Sequence, residues 1–365
     1  MTTKQSIRTT IQRMKADTLT PVSIFKRLQG RHKFLLESSA KYEDAGRYSF
    51  IGVNPRKTYY GDDEILHDVL HDTEQRYTYE GPLLRSLQQV MPRVSSATEF
   101  PFIGGAVGYI RYGVGTEHLE QENMPAVQFH IYDTLVIFDH IQNDLTIVHT
   151  NIDAEHQKTD IGSVLQQLQT VPSSEENSFL MEALQYELQS GTEQQTAQAT
   201  FTGDAFELYR KLRILLPGAY LYYMEFDGHS IIGSSKDSFI AVQQDTLQAY
   251  AENFEHQTRT VQALQKVATD ITGVDCIQAT LQPGLHSLQA LGALLPPVQV
   301  PSSLANNPKK AFGSVVGYIG FNGQIDFTLA NQVLVIEDDK LYASASGSNY
   351  TSLINILTKL TGGTR

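Results

Sequence analysis

The sequence has no tryptophan, a single cysteine and no long apolar run, and it is short of positive charge. Each absence closes off a class of protein. Cys276 is alone, so no disulfide can form within the chain, and a disulfide-stapled scaffold is excluded. An inert, partly buried thiol is the simpler reading of that residue than a reactive one. No stretch approaches the roughly 18 consecutive apolar residues of a membrane-spanning helix, so no membrane is expected. Met1 to Leu19 carries no apolar core of the kind a secretory signal needs, and a cytoplasmic protein is expected. Lysines and arginines number 28 against 40 aspartates and glutamates, a formal net charge of −12. Such a surface repels polyanions, so nucleic acid is not an expected partner. A small anionic ligand would need local cations or a bound metal to offset that field.

What is present is ordinary globular composition, and 365 residues allow about two domains or one interleaved domain. Eighteen tyrosines and 16 phenylalanines point to a β-rich, aromatic interior. Pro21 after Leu19-Thr20 predicts a helix running to Arg31, followed by a short buried strand over Phe34–Ser38. Arg47 to Val53 alternates as a strand and stops at Asn54-Pro55. Three hairpins are predicted. Val127–Phe138 pairs with Leu145–His149 across Gln142-Asn143-Asp144, and Tyr220–Phe226 pairs with His229–Gly233 across Asp227-Gly228. In the third, Val315–Phe321 leads into Asn322-Gly323. Asp204 is the expected N-cap of a helix over 205–216, with Glu207 completing a capping box and Pro217 stopping it. The Ser/Glu-rich stretch Pro172 to Ser178 reads as an exposed connection, giving regions 1–170, 171–200 and 201–365. Gly104-Gly105-Ala106-Val107-Gly108-Tyr109-Ile110 is echoed by Gly313-Ser314-Val315-Val316-Gly317-Tyr318-Ile319. Small residues on a strand let another backbone approach closely, so both halves are expected to share one β-rich core.

Several of these segments, taken in order, resemble anthranilate synthase component I, a chorismate-utilising enzyme. The resemblance starts with Phe34-Leu35-Leu36-Glu37-Ser38, Gly46 to Gly52 with Asn54-Pro55, and Pro101 to Tyr109. It continues through Asp204 to Arg213, Tyr220 to Met224 and Ile232-Gly233-Ser234-Ser235. Gly317 to Gly323 with Asp326-Phe327 completes it. It is close over 14–155, 200–235 and 308–342 and patchy between. It implies a mixed α+β fold around two packed antiparallel sheets. It also implies conversion of chorismate and ammonia to anthranilate and pyruvate with Mg²⁺, the first step of tryptophan biosynthesis. The ammonia would come from a separate glutamine amidotransferase subunit.

The resemblance also suggests site residues. Glu252 and Glu255, in Glu-Asn-Phe-Glu-His, match the metal-binding element; an i, i+3 pair on one solvated helix face is the alternative. His286 falls where the family has a catalytic histidine, and a plain surface or core histidine is the alternative. Tyr318, Gly347 and Lys359 fall at substrate-contacting positions, although Tyr318 also suits a core strand and Lys359 a solvated helix end. Glu37, Ser38, Pro217, Tyr220 and Leu221 match the site where L-tryptophan acts as feedback effector, with plain core packing as the alternative.

Much of the family pattern is absent. Lys236-Asp237 replaces the usual Pro-Glu, no counterpart of Pro-Ile-Ala-Gly-Thr-Arg follows Ser235, and Gln332 stands where an arginine clamps a carboxylate. The Gly-Ala-Gly turn is Ser346-Gly347-Ser348, and no Asp or Glu occurs from Tyr342 to Arg365, so the C-terminal metal-binding glutamate has no counterpart. Losing several charge-assisted contacts, each about 1.5–3 kcal/mol, predicts weak or absent catalysis. A non-catalytic tryptophan-binding or regulatory role, or a decayed gene product, are the competing expectations.

Overall fold

The computed structural model describes residues 8–38, 46–62, 64–94, 98–111, 114, 124–152, 161–170, 178–187, 194–216, 218–235, 238–243, 246–251, 265–269, 275–280, 287–288, 291, 314–330, 332–346 and 348–361. In chain order the early strands are β1 (Arg8–Lys15), β2 (Phe34–Ser38), β3 (Tyr48–Gly52), β4 (Lys57–Asp62), β5 (Ile65–Leu70) and β6 (Arg76–Glu80). They are followed by β7 (Gly105–Arg111), β8 (Val127–Tyr132), β9 (Thr134–Asp139), β10 (Asp144–Asn151), β11 (Phe179–Glu187) and β12 (Gln194–Gly203). Then come β13 (Tyr220–Glu225), β14 (His229–Ser235), β15 (Ser238–Gln243), β16 (Thr246–Ala251), β17 (Gln265–Thr269) and β18 (Asp275–Thr280). The last are β19 (Ser314–Gly320), β20 (Ile325–Leu329), β21 (Gln332–Glu337) and β22 (Lys340–Ser346). The helices are α1 (Pro21–Arg27), α2 (Leu83–Val90), α3 (Ile161–Gln169), α4 (Ala205–Leu215) and α5 (Ser348–Leu360).

These strands form two antiparallel sheets of eleven. The first runs β1-β10-β9-β3-β2-β13-β14-β21-β22-β12-β11, and the second β17-β18-β16-β15-β20-β19-β7-β8-β4-β5-β6. Both take strands from either side of residue 170, so neither region has a sheet to itself. Phe34, Phe50, Tyr222, Met224 and Val333 of the first sheet pack with Tyr109, Tyr132, Val316 and Tyr318 of the second, and with Phe102, between the layers. The outer face of the first sheet is covered by α1, α3, α4 and α5 through Phe25, Leu168, Phe206, Leu212 and Leu353. The second sheet buries Tyr59, Phe129, Ile240 and Phe327 on its other face, with Leu83 and Leu87 of α2. Strands buried on both faces explain why β7 and β19 read as continuous apolar and small residues rather than alternating.

The echo between the two glycine-rich segments has a direct cause: β7 and β19 are neighbours, and Gly108 lies opposite Gly317. A Cβ at Gly108 would run into the Gln128 carbonyl of β8, and one at Gly317 into the Asp326 carbonyl of β20. The hairpins β13–β14 and β19–β20 form as expected, with Gly228 and Gly323 at positive φ. The first hairpin needs correction. Its long predicted strand breaks at Asp133, so that β8 pairs in the second sheet and only β9 pairs with β10. Alternation cannot reveal a strand that changes sheets when the residues on both sides of the break stay buried on both faces. The N-terminal helix ends at Arg27 rather than Arg31, because Leu28 is already extended and Gly30 sits at φ 144°. Asp204 caps α4 as expected, accepting from the Phe206 amide at 2.8 Å. Glu207 does not close a capping box; its carboxylate takes Lys26 at 2.8 Å and Arg210 at 2.6 Å instead. The stretch expected as a connection, 171–200, instead contributes to the sheet edge: Phe179–Glu187 and Gln194–Gly203 pair as β11 and β12.

Candidate functional site

Two polar groupings sit on opposite faces of the first sheet around β2 and β13. Ser38 pairs with Tyr220 and Glu37 with Leu221 across these strands, so four of the five residues proposed for tryptophan are nearest neighbours. Side chains alternate along a strand, so the two pairs face different ways. Glu37 and Leu221 point to the helix layer, where Leu35 and Tyr223 also pack. Ser38 and Tyr220 point toward the second sheet, alongside Leu36 and Tyr222. Pro217 lies outside the described residues.

On the helix side, buried Glu37 accepts the Tyr209 hydroxyl at 2.7 Å and pairs with the Arg213 guanidinium, both from α4. Burial, with Glu37 beside it, holds the Tyr209 phenol well above its ordinary range. Ser49 of β3 shares a hydrogen bond with His140 at 2.7 Å, and burial lowers that ring while Glu37 opposes the shift. Beside this group lies a cleft of about 290 Å³, counting the part that opens to solvent. Leu212, Leu216, Leu221, Ile232, Leu334 and Leu353 line it, with Tyr209, Arg213, Ser234 and Gln332 as its polar groups. Ser234 and Gln332 are cross-strand partners on β14 and β21, and the Ser234 hydroxyl donates to the Leu216 carbonyl at 3.0 Å. Gln332 also pairs with Ala345 at the end of β22, which leads to Gly347 (outside the described residues) and α5. Gln332, the arginine position of the resemblance, therefore lies on the wall of this cleft. The guanidinium on that cleft's wall, Arg213, is committed to Glu37.

Between the sheets, Tyr220 donates to the carboxyl of Asp326 in β20, and Ser238 Oγ donates to its Oδ1 at 3.1 Å. Burial pushes this carboxyl up to about 7. Tyr318 lies opposite Asp326 across β19–β20, stacks on Phe102 with ring centroids 4.3 Å apart, and is itself held well above its ordinary range by burial. Tyr318 is 5% exposed and packs between the two sheets. Asp326 was legible in the sequence as part of a matched motif but carried no role there. The signal it gives is structural: an acid among aromatic side chains with two hydroxyl donors.

Lys359 is exposed on the last turn of α5 and is not among the residues that line the cleft. His286, Glu252 and Glu255 lie outside the described residues. Among the described residues no group of three or more His, Cys, Asp or Glu side chains is fit to hold a metal ion. No helix among them is long and apolar enough to cross a membrane.

No family model matches the chain. Anthranilate synthase component 1 of Lactococcus lactis is 24% identical over 94% of this chain and 95% of its own length. The corresponding protein of Bacillus subtilis is 23% identical over 90% and 84%. The matched span with the first, 443 positions, exceeds the 365 residues here, so stretches of that relative have no counterpart. Among solved structures, anthranilate synthase component I from Streptococcus pneumoniae superposes with a TM-score of 0.67 at 18% identity, covering 94% of this chain and 98% of that one. The menaquinone-specific isochorismate synthase MenF of Escherichia coli follows at 0.61 and 11%, covering 97% and 94%. The ordered motifs, the paired sheets and relatives matched nearly end to end agree: the chain is a divergent, shortened relative of anthranilate synthase component I.

Proposed function

We propose that this protein binds chorismate in the cleft between α4, β14, β21 and α5, as an anthranilate synthase component I-type protein whose turnover is much reduced. One observation carries the reading: Gln332, at the position where the resemblance has an arginine to grip a carboxylate, lines a cleft in which five leucines and an isoleucine form most of the wall. A neutral amide can hydrogen-bond a carboxylate but supplies no countercharge to an anion in an acidic protein. The reaction it would share is conversion of chorismate and ammonia to anthranilate and pyruvate, with ammonia delivered by a glutamine amidotransferase partner. Mg²⁺ belongs to that chemistry, and Glu252 and Glu255 are the residues that would serve it. Calorimetric titration of chorismate tests the site. Gln332→Arg should tighten binding about 10- to 100-fold, the worth of one charge-assisted contact. Equal affinities in the two proteins would remove the cleft as the chorismate site.

A second reading, L-tryptophan as effector, is favoured by the cross-strand pairs Ser38–Tyr220 and Glu37–Leu221. Because Glu37 already holds Arg213 and Tyr209, the intersheet face with Ser38, Tyr220 and Tyr318 is the better suited of the two. Saturating tryptophan should raise the melting temperature of the wild type, and less so that of Tyr220→Ala. Superimposable melting curves with and without tryptophan would reject this role.

A further inference from the structure

Four histidines from both sheets meet at one end of the seam between them. His32 precedes β2 and His229 opens β14 in the first sheet; His130 in β8 and His71 after β5 belong to the second. Thr58 Oγ1, on β4, lies 2.7 Å from His71 Nε2 and 2.7 Å from His130 Nδ1. Both outer ends of this chain meet backbone. His71 bonds the backbone of Pro55, which has no N–H, so the Pro55 carbonyl accepts. His130 faces the backbone of Glu225, whose N–H already donates to the Lys33 carbonyl at 2.9 Å, leaving its carbonyl toward the ring.

Carbonyls only accept, so the hydrogens can be counted. Four links (Pro55 to His71, His71 to Thr58, Thr58 to His130, His130 to Glu225) need four hydrogens. Two neutral imidazoles and one hydroxyl bring three. One link must stay unmade, and it falls at His130 Nε2, buried without a hydrogen-bond partner. A fourth proton would fill it only by charging a ring that is 1% exposed. His32 lies 4.6 Å from that ring between centroids and His71 6.0 Å, while Phe226 stacks on it at 5.0 Å. Arg31 and His229 add to the repulsion, against Asp227, 3.4 Å from His32 Nε2 but largely exposed, and Asp72 beside His71. The Glu225 carboxyl is occupied by the Lys33 amide and the Tyr223 hydroxyl. Burial is the largest influence on His32, His71 and His130, and it lowers all three, His130 well below the ordinary histidine range.

We propose that the His130 ring, held by Thr58 in the second sheet and packed against His32 and Phe226 on the side of the first, is an acid-sensitive latch, holding the two sheets together at this end only while this cluster of rings is neutral. The sign follows from proton linkage. On unfolding below about pH 6.5 the freed rings take up protons that the folded protein refuses, so stability falls as pH falls. Relative to His130→Phe, which keeps a ring in the stack but takes no proton, the wild-type unfolding constant should rise nearly tenfold per pH unit from about pH 6 to 5 and be level above about 7.5. If His130→Phe fails to fold, His71→Gln, whose amide can still reach Thr58, gives the same comparison. Ring-proton NMR of the folded wild type needs neither variant and should show the His130 ring neutral at about pH 5.5, well below the ordinary histidine midpoint. Amide exchange at Glu225 and Phe226 should quicken on acidification before that at Gly108 and Gly317. A His130 ring titrating at its ordinary midpoint in the folded protein, a ratio flat down to about pH 5, or exchange quickening uniformly would each overturn the latch.

Discussion

Glu37 in the first sheet faces the helices, Asp326 in the second sheet faces the first, and each is held by an arrangement with a measurable cost. The Asp326 carboxyl, pushed up to about 7, keeps a proton in the folded state that the unfolded chain releases from about pH 4 upward. Stability from this group is therefore lost as pH rises between about 4 and 7 and is level above. Asp326→Asn should remove that slope, gaining on the wild type by a few kcal/mol between about pH 4.5 and 8 in urea titrations. A difference that does not change with pH would mean the carboxyl is ionised throughout. For Glu37, the Gln variant can still accept from Tyr209 but leaves the Arg213 charge unmatched. A loss of about 1–3 kcal/mol is expected from chemical denaturation, because breaking one side of a buried pair costs more than an exposed pair is worth. Neither role could be read from the sequence. Leu-Leu-Glu-Ser shows that Glu37 is placed beside apolar residues, but Tyr209 and Arg213 lie more than 170 positions away and meet it only through the fold.

At the level of strands and helices, local chemistry was the more legible part. Asp-Gly and Asn-Gly marked two hairpins because their positive φ is needed whatever surrounds them, and Asp204 marked a helix start because an amide there needs an acceptor. The strand that changes sheets at Asp133 and the early end of α1 escaped notice, since both are decided by which layer the next residues pack on. The β7–β19 echo was visible, but its cause, two strands pressed side by side with Gly108 facing Gly317, is tertiary. Gly317→Ala should destabilise the protein by several kcal/mol or prevent folding, because its Cβ would meet backbone that cannot move without disturbing β20. Gly228→Ala, where the β13–β14 turn leaves open space and only the positive φ is strained, should cost about 1 kcal/mol. Equal costs at the two positions would show that close approach in the second sheet is not what selects glycine there.

Across the whole molecule, two eleven-stranded sheets carry a cleft whose one lining guanidinium, Arg213, is paired with Glu37. Relatives named anthranilate synthase component 1 match nearly end to end, and the fold follows, yet Gln332, the apolar cleft wall and the committed Arg213 supply few cations for a dianion. That contrast was partly visible beforehand: the substitution at 332 is a sequence fact, whereas its place beside Arg213 and Ser234 required the structure. A scaffold can outlast its chemistry because its core depends on many apolar contacts, while grip on a dianion depends on a few charges. The most direct measurement is anthranilate fluorescence from purified protein given chorismate, ammonium salt and Mg²⁺. The reduced cleft predicts a rate at or near the blank; turnover of about 1 per second or faster, ordinary for an enzyme, would contradict it.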